Sequence, residues 1–125
     1  MSTTPTSLTF DAFWRWVQEH RNCIVRIGAG EAAIMDNELL HWEFFTEDEG
    51  SVVCHAIMGK SLVGEIVIDR SEVAIVQGSI DLDNPQSGCW IFECVGGKHD
   101  ETFPLYHFVL THGMEGVQGH QALKH

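Results

Sequence analysis

Three histidines sit inside apolar, β-rich runs: His41 in LLHWEFF, His55 in VVCHAIM and His107 in PLYHFVL. Glu43, Glu65 and Glu93 are placed in the same way. Two imidazoles with a carboxylate suit a divalent metal, and an imidazole beside a carboxylate suits acid–base chemistry. Which chemistry is open to them depends on the faces they occupy, because successive side chains of a strand point to opposite sides. On that rule Leu40, Trp42 and Phe44 share one face, and His41, Glu43 and Phe45 the other. Val52, Cys54, Ala56 and Met58 likewise oppose Val53, His55 and Ile57. If these second faces coincide, His41, Glu43, His55, Glu65, Glu93 and His107 converge as candidate metal ligands or acid–base groups. The plainer reading is the wetter face of a half-buried sheet, and a slip of one residue would reverse every face.

Other chemical patterns fail on inspection. Gly59-Lys60-Ser61 ends like a phosphate-binding loop, but Cys54 stands where the loop's first glycine belongs and LVGEIVI after it is strand-like. A hairpin turn explains those residues. Gly28-Ala29-Gly30 lacks a third glycine, since Ala33 takes that place, and reads as a tight turn. Asp81-Leu82-Asp83-Asn84 resembles the start of a calcium loop, yet Pro85, Gln86 and Phe92 occupy the positions of an oxygen ligand, the glycine and the glutamate. GxSxG, HExxH and CxxC patterns are absent. No catalytic or cofactor-binding residue is assigned, and no cofactor is implied, although a nucleophile and its base need not be near in sequence. Cys54 beside His55 is no such pair, because strand neighbours face apart. Without a secretory signal, Cys23, Cys54, Cys89 and Cys94 read as reduced thiols, mostly buried.

The elements that must position these residues begin with a helix. Phe10, Phe13, Trp14 and Val17 follow helical spacing, so Phe10–Arg21 is expected to be amphipathic. Thr9 is its N-cap, Leu8 and Phe13 form a hydrophobic staple, and Asn22 closes it in the left-handed conformation. Trp16 lies off the apolar stripe; it is either a surface anchor for a partner or part of a core that wraps further round the helix. Short β-rich runs follow, split by Gly28–Gly30, a hairpin at Asp36-Asn37, Glu47–Gly50, Gly59–Ser61, Asp69–Ser71, the Asp81–Gly88 loop and Gly96–Asp100. Pro104 makes the last strand an edge, or bulged, at that point. The fold class expected is α+β: the helix packed on an antiparallel meander of about seven strands, with barrel-like closure left open. Residues 1–8 read as a polar tail, 9–111 as one domain and 112–125 as a flexible tail. The expected core is Phe10, Phe13, Trp14, Val17, Val25, Ile27, Leu40, Trp42, Phe44, Val52, Cys54, Ile66, Ile68, Ile75, Trp90, Phe92, Phe108 and Leu110.

Composition narrows the function. The 125 residues carry a net charge of −11, and 44% are hydrophobic. A basic footprint for nucleic acid or an anionic membrane is missing, and no apolar run approaches the ~20 residues of a membrane span. The expectation is a cytoplasmic protein. Carboxylates concentrate where bases are absent: none lies between Arg26 and Lys60, and Glu47-Asp48-Glu49 falls at an expected hairpin tip. The function favoured is a non-enzymatic protein-interaction module, a homodimer whose acidic face meets a basic protein partner. Trp16, Phe45, Glu47, Asp48 and Glu49 are its interface candidates. Two alternatives remain: a metal-binding protein or small enzyme using the His/Glu face, and a carrier whose apolar pocket is lined by Trp42, Phe44, Trp90 and Phe92.

Overall fold

The structure, a computed structural model, describes residues 6–48, 50–98 and 101–113. Helix α1 (Phe10–Gln18) starts as its sequence dictates, with the Thr9 hydroxyl oxygen accepting the Ala12 N–H at 3.1 Å. It stops earlier than the periodicity predicts. The Glu19 and His20 N–H groups reach back to Trp16 and Val17 carbonyls, and the chain tightens into a 3₁₀ turn at Arg21–Cys23. Asn22 is not left-handed; among the described residues only glycines have positive φ.

Nine strands follow or flank the helix among the described residues. They are β1 (Thr6–Leu8), β2 (Ile24–Ala29), β3 (Ala32–Met35), β4 (Leu40–Thr46), β5 (Ser51–Met58), β6 (Ser61–Asp69), β7 (Val73–Ile80), β8 (Trp90–Lys98) and β9 (Glu101–Leu110). All their pairings are antiparallel, in two open sheets rather than one meander. The first sheet runs β1-β7-β8-β9-β2-β3 and the second β4-β5-β6. Part of the segment read as a polar tail is thus strand: Leu8 pairs with Val76 on β7.

Turn chemistry explains which hairpins form. Gly30 (φ 61°) and Gly59 (φ 66°) each take the first place of a two-residue turn, closing β2–β3 and β5–β6. The Gly59-Lys60-Ser61 reading as a hairpin holds. Asp36-Asn37 is not a hairpin turn. β3 folds back on β2, and the chain leaves for the second sheet, held by the Asp36 N–H on the Val25 carbonyl at 2.8 Å. It returns through a 3₁₀ turn at Arg70–Glu72 capped by Asp69. A closed barrel would need β3 paired to β6; the Ile34 side chain instead lies against Gly64. Pro104 sits where β9 is bulged against β8 and has run past the end of β2. A residue without an N–H is accommodated at such a bulge.

The core joins the helix to both sheets. Phe13 meets Phe92 at 5.2 Å and Phe108 at 5.0 Å, while Trp14 meets Phe44 at 5.2 Å across an edge-on contact. Trp16 is only 7% exposed, packed on Phe92 at 5.3 Å, so the core does wrap round the helix and Trp16 is no surface anchor. Ile24, Ala56, Val76 and Cys94 also join the core. Val25, Leu40, Phe44, Ile75 and Trp90, expected inside, are half-buried. At the other end, His112 and Gly113 pack against the fold; positions 114–125 of the expected tail lie outside the described residues.

Phe13 bridges two aromatic contacts with no exposed surface. Phe13→Ala is expected to cost about 3–5 kcal/mol in chemical denaturation. A cost below about 1 kcal/mol would show that Phe13 does not fix the helix to the six-stranded sheet.

Candidate functional site

The outer face of the three-stranded sheet gathers most of the residues singled out by type. Alternation turns Trp42, Val52, Cys54, Ile66 and Ile68 inward and leaves His41, Glu43, Phe45, His55 and Glu65 outward. Register then sets Glu43, His55 and Glu65 in one row across β4, β5 and β6. The His55 Nε2–H donates to Glu65 at 2.9 Å, and the His41 Nε2–H donates along its own strand to Glu43 at 3.1 Å. Phe45 stands edge-on to the His55 ring at 5.0 Å. An open depression of about 310 Å³ is lined by Phe45, Thr46, Glu47, Val53, His55 and Glu65. Glu47 and Asp48 extend from it at the exposed β4–β5 tip; Glu49 lies outside the described residues.

Glu93 and His107 are elsewhere. They face each other across β8 and β9 on the outer side of the six-stranded sheet. Gly28 lies opposite His107 on β2, and the imidazole rests over it so closely that a Cβ there would collide with the ring. Burial in that position, aided by the Arg26 guanidinium and opposed by Glu93, holds the His107 imidazole below its ordinary value. Its Nε2 and the Arg26 Nε are buried without a hydrogen-bond partner. A cleft of about 160 Å³ beside them is lined by Gly30, Glu93, Pro104, Leu105, Tyr106 and His107.

The six His and Glu candidates are thus divided between two sheets, as four and two. Among the described residues, no group of three or more His, Cys, Asp or Glu is placed to hold a metal ion. The two His–Glu pairs are exposed hydrogen bonds, worth little as ion pairs in water. The place required for a carrier's pocket is occupied by aromatic rings, with Trp14 on Phe44 and Trp16 on Phe92.

One constellation escaped the sequence reading. The Cys23 thiol lies 3.3 Å from His112 Nε2, across 89 residues of chain. No local motif could announce it, because it arises from the pairing of β2 with β9. No family model, curated protein or solved structure matches the chain.

The His107 environment carries a pH prediction. Its pKa is lowered from 6.5 in the folded state, so the unfolded chain takes up the proton first. Stability should therefore be full above pH 6.5 and fall as pH drops from there through the folded value. Urea titrations of wild type and His107→Gln between pH 7 and 5 should show a shallower loss in the variant. Identical slopes would remove burial of His107 as the cause.

Proposed function

We propose that the chain is a non-enzymatic protein-interaction module that docks a basic protein partner on the outer face of β4, β5 and β6. The observation that carries this reading is the composition of that face. Phe45, Val63 and Val67 remain 45%, 52% and 46% exposed beside the Glu43–His55–Glu65 row. Exposed apolar side chains collected on one face and rimmed by polar groups are what docking surfaces offer. Charge selects the partner. From Asp36 to Ile68 the chain holds seven carboxylates against Lys60 alone, and Lys60 is in the β5–β6 turn, remote in register from Glu47 and Asp48 at the β4–β5 tip. Phe45 replaces Trp16 as the anchor, with the tip acids steering approach.

Self-association through this face would set the Glu43 and Glu65 rows of two copies against each other, which like charge opposes. A homodimer is better served by the unpaired edges of β4 or β6, and light scattering at tens of micromolar reads its mass. Four free cysteines accord with a reducing, cytoplasmic setting. Among the described residues no helix is long and apolar enough to cross a membrane.

A basic protein retained by the wild-type chain, once purified, provides the test. Reversing Glu47, Asp48 and Glu49 to Lys should slow association and flatten its salt dependence. Phe45→Ala should weaken affinity by about tenfold or more, with the thermal midpoint unchanged. Binding indifferent to both changes would sink the reading, whatever protein is captured.

A further inference from the structure

Cys23 closes the 3₁₀ turn before β2, and His112 follows the end of β9. The pairing of Ile24 with Leu110, extended by the Thr111 N–H on the Cys23 carbonyl at 2.9 Å, sets them side by side. The imidazole is held by both its nitrogens. Its Nδ1 is 3.2 Å from the Gly113 carbonyl oxygen, which can only accept, so Nδ1 carries the proton. Nε2 is left with a lone pair aimed at the Cys23 thiol at 3.3 Å. A thiol, a base and a group fixing the base's tautomer form the arrangement that activates a sulfur nucleophile. The ring is further fixed by an edge-on contact with Trp16 at 5.9 Å and by His20 at 5.3 Å. Gly113 is buried against Trp90, where a Cβ would run into the indole. Cys23 and His112 themselves are half-buried, so neither is sealed in the core as Cys54 and Cys94 are.

We propose that Cys23, with His112 as its base, is a nucleophilic thiol and a modification site for small planar α,β-unsaturated carbonyl compounds. The step needs no further reactant. The Cys23 proton passes to His112 Nε2 as sulfur forms a bond to the β-carbon. The carbon–carbon π pair moves to the α-carbon, which then takes the proton back from His112. The Trp16 and His20 rings that flank His112 favour a flat, conjugated electrophile over a charged one. This inference is independent of the docking face on the three-stranded sheet.

The other cysteines are internal controls. Cys89 is half-buried like Cys23, but its backbone N–H bonds Ser87 and no imidazole partners its sulfur among the described residues. Cys54 and Cys94 are buried, and burial pushes Cys94 up to about 12 and Cys54 higher still. The full chain at neutral pH is treated with limiting N-ethylmaleimide, quenched over time, digested and mapped by mass. Cys23 is expected to label at least about tenfold faster than Cys89, with Cys54 and Cys94 silent. In His112→Gln, Cys23 should fall to the rate of Cys89 while Cys89 is unchanged. Equal rates for Cys23 and Cys89 in the wild type would overturn the proposal, as would a Cys23 advantage that survives His112→Gln. Labelling of Cys54 and Cys94 would expose an unfolded variant; the wild-type ratio then decides alone.

Discussion

The contact on which the structure depends is the seat of Phe13 between Phe92 and Phe108, with Trp14 beside it on Phe44. The two sheets share no ladder among the described residues, so side chains must join them. A helix of nine residues is marginal alone, since nucleation is costly and few backbone bonds follow. Five of its nine residues are buried, and that burial stabilises it. Dependence runs both ways: without the helix, Phe92, Phe108 and Phe44 would line a wet gap between sheets. One backbone-to-hydroxyl bond adds to this joint, the Asp69 N–H to the Tyr106 hydroxyl at 3.3 Å.

A core shared in this way decides what chemistry the strands display. Apolar residues claim the inner faces, so the alternating His and Glu must point outward. Outer faces of two sheets that share one core turn away from each other, so groups on different sheets do not converge. His41, Glu43, His55 and Glu65 therefore stay together, and Glu93 and His107 form a separate pair. Convergence of all six would require polar groups inside, at a desolvation cost that a metal or full pairing would have to offset. The interior already leaves the Trp16 and Trp42 indole N–H groups without partners. It has little tolerance for more unpaired polar atoms, each costing about 1–3 kcal/mol.

Legibility in the sequence tracked the range of the interaction responsible. Strand faces were readable, because the period of two is local: Trp42 and Cys54 are buried, while His41 and His55 are outward. Hairpins with a glycine in the turn were readable for the same reason. The bend at Pro104 followed from one missing donor. Sheet membership was not readable. Asp36-Asn37 resembles a hairpin turn locally, but pairing of β3 with β2 takes precedence through the Gly30 turn. Trp16 was ambiguous because its burial depends on Phe92, distant in sequence. The acidic tip was plain from composition, whereas the exposure of Val67 beside it needed the register of β6 on β5.

The Cys23–His112 pair lies at the far end of that scale. Its members are 89 residues apart, and their approach is set by the last rungs between β2 and β9. A register shift between Ile24 and Arg26 marks the same end of that ladder, so the chain there does not simply continue the regular pleat. The thiol's chemistry is consequently a property of the folded chain and not of its neighbours in sequence. Unfolding acts on the cysteines in opposite senses. It frees Cys54 and Cys94 from the interior that suppresses their ionisation, and it parts Cys23 from its base. Selectivity among the four thiols therefore requires the fold twice over, once to shield two of them and once to assemble the imidazole beside the third.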